Sequence, residues 1–136
     1  MQIDTEGFGV GDRSFQEAGG LAGITQLVDQ FYDNMDNVER ARSIRAMHRP
    51  DLAEPKKRLT YFICGWLGGP KLYQEHIGSI DIPQFHAHLS ASIEHAEAWL
   101  LCMEKAIENQ PYSPSFKRYL LAQFRVPAMR IVYNSQ

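Results

Sequence analysis

His86 and Trp99 are the side chains whose types and places allow chemistry at a shared point. Pro83 suits the start of a short helical piece that carries His86 in its first turn, and Ser92 with Glu94 then reads as the N-cap and first turn of a new helix. From Ile93 onward Ala96, Trp99, Leu100, Met103, Ala106 and Ile107 recur on one helical face. An imidazole and an indole on consecutive elements can line one cavity. Periodicity alone also accommodates the plainer account, a satisfied core histidine and a core tryptophan.

A metal site made by the histidines themselves finds little support. They stand at 48, 76, 86, 88 and 95, and none falls in an HExxH or paired Cys/His zinc spacing. His86 and His88 are about 200° apart around a helix axis and cannot chelate one ion together. His76, His88 and His95 read as solvated surface residues. The two cysteines, Cys64 and Cys102, sit inside apolar helical patterns without a CxxC partner, so they read as small buried hydrophobes rather than a disulfide framework.

The remaining elements form the walls around this pair. Residues 1–13 are expected to be a flexible tail and residues 14–136 one domain. Ser14 and Glu17 resemble a capping box ahead of a very short helix that Gly19-Gly20 stops. Leu21, Ile24, Leu27, Val28, Phe31 and Met35 mark a second helix reaching about Asp36, with Tyr32 beside the stripe. A charged connection follows, with a short helix around Val38 to Arg42 and a turn at Met47-His48-Arg49-Pro50. Asp51 and Glu54 pair as caps for a helix that tolerates Pro55 in its first turn. That helix buries Leu59, Phe62, Ile63, Trp66 and Leu67, and Gly68-Gly69-Pro70 ends it. Lys71 to Ile77 make a further turn or two. The last helix starts at Ser113-Pro114, buries Phe116, Tyr119, Leu120, Phe124, Ile131 and Val132, and is expected to kink at Pro127. With no period-two stretch and no internal repeat, the class is all-α.

At 136 residues, 44% hydrophobic and 22% charged, the chain suits one compact domain. A formal charge of -2 offers no basic footprint for nucleic acid or anionic lipid. No apolar run approaches the ~20 residues of a membrane span, and the N-terminus lacks the pattern of a signal peptide. A soluble cytoplasmic protein is expected.

The run Phe62-Ile63-Cys64-Gly65-Trp66-Leu67-Gly68-Gly69-Pro70, followed by Leu72-Tyr73, resembles the signature of the group II truncated haemoglobins. Counting on without a gap, Gly78 falls on the family's glycine, His86 on its haem-ligating histidine, and Ala98-Trp99-Leu100 with Cys102-Met103 on its next helix. Gly19-Gly20, Leu27-Val28, Phe31-Tyr32 and Ile44-Arg45-Ala46-Met47-His48 are similar to the upstream half. The resemblance spans roughly residues 14 to 133. It implies a compressed globin fold, a 2-over-2 helical sandwich around a b-type haem (iron protoporphyrin IX).

The resemblance also implies a site. His86 is the proximal iron ligand, Ile82, Phe62 and Met103 pack on the porphyrin, and Arg58 is the cation for the propionates. Tyr32, His48, Leu59 and Trp99 surround a bound O2, NO, CO or peroxide, the polar three as donors and Leu59 as wall. His48 and Tyr32 are also candidates for an internal sixth ligand. The chain departs from its relatives at Phe85, where many carry arginine, and at Pro55, where a small residue commonly stands. Strong retention of oxygen suits nitric oxide oxidation, peroxide turnover or sensing better than bulk transport, with an unidentified reductase as electron source and a monomer or weak dimer as the assembly. The competing reading is a non-catalytic helical interaction module without cofactor. Colour separates the two.

Overall fold

The computed structural model describes residues 7–46, 48, 50–78 and 93–126, and the backbone alone for 127–135. The elements are α1 (Arg13–Glu17), α2 (Gly20–Asn37), a 3-10 turn (Glu39–Ala41), α3 (Arg42–Ala46), α4 (Ala53–Trp66), α5 (Leu72–His76), α6 (Ile93–Glu108) and α7 (Pro114–Ser135). Among the described residues there is no strand, as the patterning requires of an all-α chain. None of their helices is long and apolar enough to cross a membrane.

The long helices meet in two layers. α2 packs on both α4 and α6, and α6 packs on α7, so the α2/α4 pair lies against the α6/α7 pair. The shared interior holds Ile24, Leu27, Val28, Phe31 and Met35 from α2, Ile63, Cys64 and Leu67 from α4, and Cys102, Met103, Ala106 and Ile107 from α6. Phe116, Leu120 and Phe124 of α7 complete it. Inside this layer Asn34 donates its amide to the Cys102 carbonyl at 2.9 Å, tying α2 to α6 with a satisfied buried polar group. Both thiols are buried, as expected, and burial pushes the Cys102 thiol up to about 11.

Local signals explain most boundaries. Ser113 accepts from the Phe116 amide at 3.3 Å, and Pro114 occupies the first helical position of α7, which runs through Pro127 to Ser135. Asp51 accepts from the Ala53 amide at 2.9 Å at the start of α4, and Glu54 turns outward to Arg58 and Lys57. At the other end of α4 the Gly69 amide returns to the Cys64 carbonyl at 2.9 Å while Gly68 takes φ +91°. Glycine is needed at Gly68 for a second reason. A side chain there would run into the carbonyl of Gly11.

That contact belongs to the largest correction to the expected layout. The stretch ahead of α1 is not a loose tail from Gly7 on. Phe8 is fully buried, with its ring 4.9 Å from Phe116 and 5.2 Å from Tyr119. One aromatic residue among glycines carries no periodicity, so its docking is decided by α7 rather than by its neighbours in sequence. Ser14 is redirected too: it accepts from the Gly9 amide at 3.0 Å and makes no helix cap. Leu21, expected in the α2 stripe, is 45% exposed, and burial begins at Ile24. His95 is half-buried rather than solvated, whereas His76 is exposed. The expectations for Pro83, His88 and Ser92 fall outside the described residues, as do those for the side chains of Ile131 and Val132.

Candidate functional site

Helix α4 carries two adjacent apolar stripes. Thr60, Ile63, Cys64 and Leu67 form the fully buried one, which faces the core. Leu59, Phe62 and Trp66, spaced by three and four residues, form the other and are only partly buried, although all five α4 apolar positions were expected to be core. An apolar stripe that the helical layers cover only in part is surface suited to an apolar ligand.

Rings continue from this stripe across the molecule. Phe62 stacks on Trp66 at 5.9 Å, Trp66 meets Phe124 at 4.9 Å, and Phe124 meets Trp99 at 5.8 Å. Trp99 in turn lies 5.0 Å from Phe31, Phe31 lies 5.0 Å from Tyr32, and Tyr32 lies 5.9 Å from the His48 ring. Side chains from α2, α4, α6, α7 and the corner after α3 therefore make one unbroken aromatic wall. Its lower members are the Phe62 and Phe124 rings with the Trp66 indole between them, and its far end carries the Tyr32 phenol, the His48 imidazole and the Trp99 indole.

The polar end has defined chemistry. Tyr32 is 6% exposed, and burial drives its phenol well above the usual value, so it is an O–H donor at neutral pH. His48 is held by its own corner. Its Nδ1 lies 2.9 Å from the Ile44 carbonyl, and a carbonyl only accepts, so Nδ1 donates there and Nε2 is the ring nitrogen left for another partner. Arg45 braces the same corner through Asp36 at 2.6 Å and the Pro50 carbonyl at 3.1 Å. His48 thus turns Nδ1 to its own corner and leaves Nε2 for any partner in the pocket.

A bacterial-like globin family model matches residues 13–131, which is most of the chain. The chain belongs to that family. Among curated relatives, the group 2 truncated hemoglobin YjbI of Bacillus subtilis is 28% identical over 120 residues, covering 88% of this chain and 89% of its own. A cold-adapted truncated hemoglobin from the Antarctic bacterium Pseudoalteromonas haloplanktis superposes with a TM-score of 0.84 at 26% identity, over 88% of this globin and 96% of that chain. The group II truncated hemoglobin of Bacillus anthracis gives 0.80 at 28% identity, over 88% and 89% of the two chains. The resemblance to group II and the 2-over-2 globin architecture therefore hold.

A globin is a haem protein that binds diatomic ligands, and the residues present fit that group. The partly covered stripe of Leu59, Phe62 and Trp66 supplies apolar wall, and Tyr32, His48 and Trp99 supply polar atoms at one end of it. Of the residues expected at the site, Tyr32, His48, Trp99, Leu59 and Phe62 are gathered in this way. Met103 is fully buried one turn after Trp99. Arg58 is partly exposed on α4 and pairs with Glu54 at 3.0 Å. Ile82 and His86 lie outside the described residues. Phe31, Trp66 and Phe124 enter the wall without having been singled out. Their apolar periodicity marked them as core, and no local signal distinguishes a core ring from a wall ring.

Proposed function

We propose that this globin holds a b-type haem with His86 as the proximal iron ligand and works on oxygen, nitric oxide or peroxide as a redox or sensing protein rather than a bulk carrier. The observation that carries the reading is the joining of Tyr32, His48 and Trp99 through ring contacts at the polar end of one aromatic wall. Bound haem supplies an iron centre that takes a diatomic ligand and exchanges electrons with it.

The chain's own residues do the rest. His86 follows Gly78 and precedes Trp99 at the family's spacing and holds the iron through a neutral imidazole. Leu59, Phe62, Ile82 and Met103 exclude water around the porphyrin, and burial of apolar area contributes the affinity. Arg58 faces a propionate by exchanging part of its pairing with Glu54. Tyr32 and Trp99 donate hydrogen bonds to the ligand. His48, donating from Nδ1 to the Ile44 carbonyl, would offer Nε2 to the iron when no external ligand is bound. We place the protein in the cytoplasm as a monomer or weak dimer, supplied with electrons by a reductase.

The experiment is direct. Protein purified with haem available should be red with a Soret band at one haem per chain, and His86→Leu should lose stoichiometric haem. Colourless parent protein rejects the haem reading in favour of a cofactor-free helical module. Normal retention with an unchanged iron–imidazole stretch in His86→Leu rejects the ligand assignment alone.

A further inference from the structure

Both tryptophans of this chain touch the same ring. Phe124, itself 1% exposed, lies between Trp66 on α4 and Trp99 on α6, at 4.9 and 5.8 Å. Trp99 looks toward the polar end of the wall through Phe31, beside Tyr32 and His48. Trp66 stands at the opposite end, stacked at 20° on Phe62 and partly exposed. Indoles are the neutral side chains most readily oxidised by one electron. A phenyl ring is not oxidised under those conditions but couples two indoles that each touch it. Tilted contacts of this kind keep the rings at van der Waals distance.

We propose that Trp66 is a redox-active residue, the place where an oxidising equivalent generated by a hydroperoxide in the pocket comes to rest after passing Trp99 and Phe124. The idea rests on the haem reading above and goes beyond it. Reduction of the hydroperoxide breaks its O–O bond, ROOH taking up two electrons and two protons to give ROH and water. Each electron leaves Trp66 and crosses to the pocket, and the Trp66 indole N–H releases its proton, leaving a neutral indolyl radical. A phenol-class donor restores the indole by giving up a hydrogen atom. Two such rounds balance as ROOH + 2 ArOH giving ROH + H2O + 2 ArO•. The polar pocket residues Tyr32, His48 and Trp99 are thereby spared, because the radical sits on Trp66 with the Phe124 ring between it and Trp99.

The test uses haem-loaded protein whose Soret band has been recorded first, so a colourless preparation overturns the haem reading and a red one isolates this inference. Hydroperoxide is added with a nitroso spin trap, and the adduct is located by peptide mapping alongside its electron paramagnetic resonance signal. The expected result is an adduct on the Trp66 peptide that excess phenol abolishes. Phe124→Leu keeps both indoles but breaks the relay, and should lose the Trp66 adduct while Trp99 or Tyr32 becomes labelled. Trp66→Phe should shift the label in the same way; if that variant does not take up haem, the parent map and Phe124→Leu decide. An unlabelled Trp66 in the parent, an adduct that persists in excess phenol, or undiminished Trp66 labelling in Phe124→Leu overturns the proposal. A purely structural Trp66 would move none of these readouts.

Discussion

Replacing Gly68 with alanine adds one methyl group at the junction where α4, the Gly7–Asp12 segment and α5 converge. The backbone there sits at φ +91°, a left-handed conformation that costs a non-glycine residue ~1–2 kcal/mol. The new Cβ would also overlap the Gly11 carbonyl, and backbone cannot rotate aside as a side-chain tip can. Relieving the overlap displaces the segment that seats Phe8 against Phe116 and Tyr119, an overpacking cost of ~1–3 kcal/mol. The sum is about 3 kcal/mol, which for a chain of this size is a fall in melting temperature of roughly 10 °C. Gly65 is the internal control, three residues earlier. A Cβ there meets Lys71 Cα at an ordinary 3.6 Å, and the residue lies inside α4. Gly65→Ala should therefore stabilise by ~0.4–1 kcal/mol through the smaller entropy of the unfolded chain. The assay is thermal unfolding of both variants followed by circular dichroism, in the haem-free state so that ligand binding does not shift the midpoint. Equal melting temperatures for the two variants, or a Gly68→Ala midpoint at that of the parent, would refute the argument from steric overlap.

The other expectations concern the pocket and the response to alkali. Trp99→Phe keeps the ring contacts but removes the N–H, so oxygen dissociation should accelerate about tenfold if that bond is worth ~1.4 kcal/mol; an unchanged rate makes Trp99 structural. Because Nδ1 of His48 is engaged by the Ile44 carbonyl and Nε2 is the nitrogen left over, ligand-free haem protein should show a low-spin component in resonance Raman spectra that disappears in His48→Phe and survives in Tyr32→Phe, and a purely high-spin parent across neutral pH excludes internal ligation. Burial raises the Cys102 thiol from 9.0 to about 11 and the Tyr112 phenol from 10.0 to about 12. Folding favours the protonated form of both, so their contribution is complete below the unfolded values and is lost as pH rises through the folded ones. Melting temperature should hold to about pH 9 and fall from there to pH 12, and Cys102→Ala should flatten the lower part of that slope. A slope identical in the variant rules out the thiol as its source.

Which parts of this globin were legible without coordinates follows from the range of the interactions involved. The α2 stripe from Ile24 to Met35, the Ser113 cap and the Gly68-Gly69-Pro70 stop all act within a turn or two of chain, so residue order alone determined them, whereas the expected Asp51–Glu54 capping pair did not form: Leu52 holds the cap position and Glu54 pairs with Arg58. The family resemblance likewise ran along the chain and supplied the architecture and the list of site residues. Tertiary structure decided what depends on contacts between elements distant in sequence. Phe8 is core because α7 presents Phe116 and Tyr119 to it, although nothing within the N-terminal stretch predicts a partner. Leu59, Phe62 and Trp66 share the periodicity of Ile63 and Leu67, yet they stay partly uncovered because the layer against α4 reaches only one of its two stripes. Which ring nitrogen of His48 is engaged is set by where the Ile44 carbonyl points once the corner is closed. Phe124 bridges both indoles only because the packing of α7 on α6 brings its ring to Trp99 and to Trp66 of α4 at once. Periodicity records that a side chain is apolar and which helical face it shares; what stands opposite that face is a property of the packed chain.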